Sequence, residues 1–230
     1  MKRAVCLQHV AFEGPGYFEP ALRDLGFDVQ KHIVPHVGLP KDGGDLLLVM
    51  GGPMSVNDPD PWIAAETEFI RAHVTQGRPY LGVCLGSQFL AKAIGGRVYA
   101  GRQPEIGMTA IELTRDGGSD PAFRGADSPL QVFEWHGEGI ELPPGTVNLA
   151  SSSLFPVQAF RHGGRAYGLL FHLEIDPDGA DKLCCACAGD VARASASASR
   201  LVDDLRPHVQ RLQEQARHVI NVLAETVHAS

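Results

Sequence analysis

The chain has 230 residues, 44% of them hydrophobic, which is enough for one sizeable core but too short for two full catalytic domains. Its formal charge of −7 comes from 27 acidic and 20 basic residues without a long run of either sign, so no basic stripe is available for nucleic acid. We find no apolar core of a secretory signal, no stretch that could span a membrane and no disulfide pattern among the five cysteines, which together favour the reducing cytoplasm.

Strands and helices alternate over the first 95 residues. Strands are predicted at residues 3–7, 28–34, 45–50 and 80–83, and helices at 18–25, 62–76 and 89–94. The apolar run after Asp45 is typical of a strand covered on both faces. This alternation predicts a parallel sheet with helices on both faces.

The second half of the chain has a different pattern, in which predicted strands predominate. Further strands, which extend or flank the sheet, are predicted at residues 98–99, 107–113, 130–135, 157–160 and 166–171, and a helix at 176–188. We therefore expect one domain over residues 1–190. Residues 191–230 are predicted to form an Ala/Ser joint and an amphipathic helix, interrupted at Pro207, that packs on the domain or forms a homodimer interface.

Cys84 lies between a predicted apolar strand and a predicted helix, with Gly82 and Gly86 on either side. Flanking glycines permit the strained turn of a nucleophile elbow, and the following helix N-terminus favours the thiolate. The alternative interpretation is a buried structural cysteine, which this pattern alone does not exclude.

A thiolate nucleophile also needs donors for the oxyanion that forms during attack on a carbonyl. Gly52 follows the buried strand that ends at Met50, and Leu85 follows the nucleophile. Their N–H groups are the candidate donors, because strand ends in such a sheet meet at one crevice. An ordinary glycine turn is the alternative at Gly52.

Two pairs could supply a base and the group that orients it: His136 with Glu138, and His172 with Glu174. His172 comes at the end of a predicted strand, and residues two apart in an extended segment share a face. We therefore favour His172 as the base and Glu174 as its partner. His136 lies in a glycine-flanked segment that we predict to be a tight turn lining a pocket.

Four segments, taken together, resemble the class I, triad-type glutamine amidotransferases, and in particular their stand-alone branch similar to GMP synthase. They are residues 51–55 (GGPMS), 82–88 (GVCLGSQ), 135–138 (WHGE) and 168–174 (GLLFHLE). The loop at 13–16 (EGPG) resembles the same branch, and the similarity runs from about residue 3 to residue 188.

The resemblance implies a flavodoxin-like three-layer α/β/α fold with a mostly parallel central sheet, and residues 1–190 as the amidotransferase domain. It also implies specific residue roles: catalysis by Cys84, His172 and Glu174, oxyanion binding by Gly52 and Leu85, and substrate binding by Gln88, Trp135, His136 and Gly137. Leucine at positions 170 and 173 replaces the glutamine and proline that are usual there, so we expect a changed local turn and pocket.

The predicted function is hydrolysis of the glutamine side-chain amide through a thioester on Cys84, with release of ammonia to an acceptor enzyme. A free-standing hydrolase and a chain that works with a separate synthase subunit both remain open, because no Walker-type loop is present. The alternatives are a γ-glutamyl peptidase that acts on glutathione-like compounds and a catalytically idle scaffold. We predict no cofactor and no metal, since Cys184, Cys185 and Cys187 lack a matching second ligand pair and are better explained as buried helix residues.

Overall fold

A computed structural model describes residues 2–194 and 196–228 of the chain. Its strands are β1 Lys2–Gln8, β2 Phe27–Ile33, β3 Leu46–Val49, β4 Tyr80–Val83, β5 Arg97–Leu113, β6 Leu130–Glu141, β7 Thr146–Ser151, β8 Ala159–His162 and β9 Ala166–Leu169. Its helices are α1 Phe18–Asp24, α2 Val34–Val37, α3 Pro61–Thr75, α4 Leu85–Ala93, α5 Arg115–Ser119, α6 Pro177–Ala186, α7 Ala188–Arg193, α8 Ala198–Leu205 and α9 Val209–His228.

The described strands form one nine-stranded sheet in the order β2-β1-β3-β4-β9-β8-β7-β5-β6. Neighbours are parallel from β2 to β9 and antiparallel from β9 to β6. The predicted α/β fold class is confirmed: β9 adds a fifth parallel strand, and β8, β7, β5 and β6 extend the sheet with an antiparallel half.

The central strand β3 shows why the fold has three layers. Leu46 and Leu48 belong to one core cluster, whereas Leu47 and Val49 belong to a second cluster, and all four are fully buried. Successive side chains of a strand point to opposite faces, so an apolar run needs cover on both sides. Helices supply this cover, and the carboxyl ends of β1, β3, β4 and β9 are left together at one edge.

Several predicted boundaries differ from the structure, and three elements were not predicted. The two short strands expected at 98–99 and 107–113 are parts of one strand, β5, whose pairing with β6 shifts register between Ala100 and Glu105. The helix expected at 176–188 is divided at Cys187 into α6 and α7. Strand β7 and the short helices α2 and α5 lack a clear apolar period and were not predicted.

The C-terminal segment packs on the same chain. Leu212, Ala216 and Val219 of α9 lie in the core cluster that also contains β3 residues, and Arg217 donates to the Tyr17 hydroxyl 3.1 Å away. Pro207 lies in a 3-10 turn between α8 and α9. The Ala/Ser joint is shorter than predicted, since α7 reaches into it and α8 begins within it. Ser195 of the joint lies outside the described residues, as do Met1, Ala229 and Ser230.

No helix in the described parts of the chain is both long enough and apolar enough to cross a membrane.

Candidate active site

Cys84 lies in the sharp turn between β4 and α4. Its φ of 51° is positive, and it is the only non-glycine residue with a positive φ among those described. The turn requires glycine on both sides, because a Cβ on Gly82 would clash with the Gly86 backbone and a Cβ on Gly86 would clash with the Val49 carbonyl. Such backbone strain is typical of a nucleophile elbow.

His172 and Glu174 follow β9 in an extended segment. The N–H of His172 donates to the Phe133 carbonyl at 2.8 Å, which joins this segment to β6. The imidazole Nδ1 lies 2.6 Å from Glu174 Oε1, and both side chains are more than nine-tenths buried. The same-face spacing of the two residues therefore brings them into direct contact.

The imidazole of His172 also faces Cys84, close enough for the two groups to interact electrostatically. Burial opposes protonation of the ring, but the charge of Glu174 and the contacts with Cys84 and Glu174 outweigh it and raise the pKa of His172 well above its ordinary value. Sγ donates to the Trp135 carbonyl at 3.6 Å, so Nε2 makes no hydrogen bond of good geometry with the described residues. This leaves Nε2 free to exchange a proton with a reacting group.

The two residues that carry the candidate oxyanion donors are neighbours in the fold. A Cβ on Gly52 would be 3.0 Å from Leu85 Cδ2, so the backbone of Gly52 packs against the side chain that follows the nucleophile. Leu85 begins α4, and the first N–H groups of a helix have no acceptor within it. Gly52 borders the space in front of Cys84, and Leu85 follows Cys84 directly in the chain.

A cavity of about 370 Å³ opens in front of the sulfur, and we call it the reaction cavity. Six of the residues singled out from the sequence line it: Gly52, Cys84, Gln88, Trp135, His136 and Gly137. Part of the lining consists of residues that the motifs did not indicate, namely the register shift of β5, which carries Arg102, and the α6–α7 junction, which carries Cys187. Sequence reasoning missed this part of the lining because its residues have no pattern of their own.

His136 lies within the long strand β6, and the predicted tight turn at this position is therefore wrong. Nδ1 is 3.1 Å from the Glu138 carbonyl, and Nε2 is 3.1 Å from Glu134 and 3.4 Å from Glu105. These three partners are acceptors, and the amide nitrogen of Gln158, 3.5 Å from Nε2, donates to Glu105 at 2.6 Å, so we assign hydrogen to both ring nitrogens. Burial opposes this charge, but Glu105 and Glu134 outweigh it and raise the pKa of His136 to about 10.

The same three side chains are the one group among the described residues with the geometry of a metal site. The ligand atoms of Glu105, Glu134 and His136 lie within 4.8 Å of one another. Carboxylate and imidazole are common metal ligands, but a protonated Nε2 has no lone pair to offer. We therefore assign this cluster to holding the charged ring of His136 in place.

A second cavity, of about 320 Å³, lies behind the catalytic pair and is lined by His172, Glu174 and Glu13. Glu13 also lines the reaction cavity. Burial and the nearby Glu174 charge raise the pKa of Glu13 to about 7, although His172 and His9 oppose this shift. Glu13 belongs to the 13–16 loop, and no predicted role was attached to it.

The two departures from the usual motif do not reach the pocket. Leu170 is 1% exposed and Leu173 is fully buried, and they pack in opposite core clusters. Neither side chain lines either cavity. We expected these two leucines to change the pocket, but neither side chain contacts it directly.

The three clustered cysteines differ in their surroundings. Cys184 is buried as predicted, whereas Cys185 is exposed and the prediction of burial is wrong there. Cys187 is half-buried at the rim of the reaction cavity. Burial and the neighbouring Glu13 and Asp190 charges raise the pKa of Cys187 to about 11, so this thiol stays protonated at neutral pH and is a poor nucleophile.

Comparison with known proteins gives consistent matches. The family model described as glutamine amidotransferase class-I matches residues 21–185. The chain is 32% identical over 183 residues to the glutamine amidotransferase-like protein YfeJ of Salmonella typhimurium, covering 76% of this chain and 77% of that protein.

Two further relatives carry the name GMP synthase. One is a single subunit of the glutamine-hydrolyzing GMP synthase of Thermoplasma acidophilum, and it is 33% identical over 159 residues, 67% of this chain and 76% of that protein. The glutamine-hydrolyzing GMP synthase of Thermus thermophilus is 39% identical over 131 residues, 56% of this chain but only 24% of that longer protein.

The fold also matches a solved structure. A glutamine amidotransferase from Thermotoga maritima superposes with a TM-score of 0.88 at 26% identity, over 97% of this chain and 98% of that chain.

Proposed function

Because the chain belongs to the class I glutamine amidotransferase family, we propose that it hydrolyses the side-chain amide of glutamine through a γ-glutamyl thioester on Cys84. The observation that carries this proposal is the juxtaposition of the thiol at the strained elbow and the hydrogen-bonded His172–Glu174 pair. A nucleophile, a base and an orienting carboxylate in this order form the minimal machinery of amide cleavage.

In the first half of the reaction, the thiol of Cys84 loses its proton, and the thiolate, paired with the imidazolium of His172, attacks the amide carbon. The developing oxyanion accepts hydrogen bonds from the N–H groups of Gly52 and Leu85. The C–N bond then breaks as Nε2 returns the proton to the departing nitrogen, so that ammonia leaves and the thioester remains. Glu174 keeps the ring oriented throughout.

In the second half, water enters from the side vacated by ammonia. Nε2 of His172 accepts a proton from the water, whose oxygen attacks the thioester carbon, and the C–S bond breaks to release glutamate. The sulfur leaves as the thiolate and Nε2 keeps the proton taken from water, which restores the reactive ion pair.

The substrate is held in the reaction cavity. We propose that Gln88 and the 135–137 segment contact the glutamyl part of the substrate, because these residues line the cavity next to Cys84. His136 contributes through its charge and its backbone, since both of its ring nitrogens already bind protein oxygens.

A γ-glutamyl peptide is the second candidate substrate, and one observation favours it. Arg102 lines the reaction cavity, where its guanidinium could pair with a carboxylate beyond the γ-glutamyl group. A side-by-side assay of glutamine, glutathione and other γ-glutamyl compounds decides between the two substrates. Arg102→Ala should lower kcat/KM for glutathione more than for glutamine if the peptide is the natural substrate.

Release of ammonia to a separate synthase chain is part of the proposal. It is supported by the Thermoplasma acidophilum relative, which is named as one subunit of a GMP synthase and matches over 76% of its length. The free thiols of all five cysteines support our proposal of a reducing, cytoplasmic setting.

The experiment that tests the function is ammonia release from glutamine by the purified protein, with Cys84→Ala as the matched control. Loss of all turnover in the variant is expected. Absence of γ-glutamyl hydrolysis by the unmodified protein, with or without a synthase, would instead favour the scaffold alternative.

A further inference from the structure

His9 forms a buried ion pair that the proposed mechanism does not use. It directly follows β1, and its Nε2 lies 3.0 Å from Oε1 of Glu66 in α3. Both side chains are completely shielded from solvent. The imidazole is stacked on the rings of Trp62 and Phe89, with centroid distances of 5.7 and 5.5 Å, so its plane is fixed.

The other nitrogen of this ring binds the backbone of the candidate oxyanion loop. Nδ1 lies 2.9 Å from the carbonyl oxygen of Gly51. A carbonyl only accepts, so Nδ1 carries hydrogen and donates to it, while Nε2 faces a carboxylate and donates in the same way. Both nitrogens are therefore protonated, and His9 is an imidazolium that binds Glu66 at one end and Gly51 at the other.

This contact determines which way the next N–H group points. The peptide between Gly51 and Gly52 is trans, because the only cis bond among the described residues is Ser128–Pro129. In a trans peptide the C=O and the following N–H point in opposite directions. A carbonyl directed at His9 therefore directs the Gly52 N–H away from His9. Gly52 lines the reaction cavity whereas His9 does not, which is the arrangement expected if this N–H faces the substrate.

We propose that the Glu66–His9 pair is a positioning device that holds the Gly51–Gly52 peptide in the orientation required of an oxyanion donor. The role rests on the proposed function, since an oxyanion forms only if an acyl group is transferred. His9 and Glu66 touch neither substrate nor sulfur and act through this peptide. A flexible glycine pair needs such a constraint, because glycine is the residue that loses most conformational freedom when it is fixed.

Three variants isolate the hydrogen bond from the rest of the buried pair. Glu66→Gln removes the buried carboxylate and provides the background. Within it, His9→Leu removes the donor to Gly51, whereas His9→Asn places an amide N–H near the position of Nδ1. The two double variants carry the same change at Glu66, so their difference reports the bond to Gly51.

The measurements are kcat and KM for glutamine, together with the rate at which iodoacetamide alkylates Cys84. Removal of an oxyanion donor typically lowers kcat by about 10²–10³, so a misdirected donor should lower it at least about tenfold in the His9→Leu double variant. KM should stay unchanged, and His9→Asn should recover most of kcat. Alkylation occurs at a saturated carbon without an oxyanion, so its rate should be equal in all variants.

Equal kcat values in the Leu and Asn double variants would overturn the positioning role. A fall in the alkylation rate that parallels the fall in kcat would also overturn it, because it would indicate general damage to the site. Absence of turnover in the unmodified protein would be a different failure: it would overturn the proposed function and this role with it.

Discussion

Nδ1 of His172 and Oε1 of Glu174 are 2.6 Å apart, in a buried segment that leaves the opposite ring nitrogen facing the thiol of Cys84. This contact fixes the ring orientation and identifies Nδ1 as the nitrogen that donates to the carboxylate. The proton that moves during catalysis is therefore the one on Nε2.

Glu174→Gln tests that assignment. The amide keeps the size of the side chain but removes the charge that holds the pKa of His172 high. We expect kcat to fall by at least about 100-fold, because positioned acid–base catalysis contributes about 10²–10⁴. The high-pH limb of kcat/KM should also move to lower pH, since the imidazolium loses its proton more easily. A pH profile of unchanged shape would contradict the assignment.

His136→Ala should act mainly on stability and binding. Loss of the imidazolium leaves the buried carboxylates of Glu105 and Glu134 without their cation. Breaking a buried pair in this way costs about 3–5 kcal/mol of unfolding free energy. Denaturant unfolding measures the loss, and adding Glu134→Gln to the same chain should restore part of it.

His172→Ala should abolish turnover, whereas His136→Ala should mainly weaken substrate binding; the reverse result would transfer the role of base to His136.

Glu13 should make stability depend on pH. Its ordinary pKa of 4.5 is raised to about 7 in the folded protein, so the folded state keeps a proton that the unfolded chain has already lost. The stabilisation is complete below pH 4.5 and is lost as the pH rises through about 7. Glu13→Gln removes this dependence, so the Tm of the variant relative to the unmodified protein should rise between pH 4.5 and pH 8. Glu225→Gln, which changes an exposed carboxylate, should show no such trend.

Gly86→Ala tests the elbow itself. The added Cβ would clash with the carbonyl of Val49, and this backbone atom cannot move without disturbing β3. We expect a loss of stability of about 1–3 kcal/mol from overpacking, together with reduced turnover, since α4 carries Leu85 and Gln88. Gly118→Ala is the matched control, because a Cβ there meets nothing within 4 Å. Equal melting temperatures for the two variants would contradict the tight packing at Gly86.

The sequence predicted the elements whose pattern is local. The apolar run of β3, the glycines around Cys84 and the two-residue spacing of His172 and Glu174 each depend on neighbours in the chain. The long strand β5 was missed because its register shift hides the period-2 pattern between residues 100 and 105.

Contacts between residues far apart in the chain could not be predicted from such local patterns. Glu66 is 57 positions from His9, and a single buried acid on an amphipathic helix gives no signal of its partner. Likewise, the binding of both His136 nitrogens by protein groups follows from strand pairing that places Glu105 beside His136. Only the folded arrangement shows that this ring has no nitrogen left for a substrate.

The most direct test of the account is mass spectrometry of the protein quenched in acid during turnover of glutamine, followed by peptide mapping. A peptide that contains Cys84 and is heavier by one γ-glutamyl group is predicted, with a larger amount in a variant that slows deacylation and none in Cys84→Ala. Turnover of glutamine with no acyl group on Cys84, or with the group on another residue, would contradict the central claim.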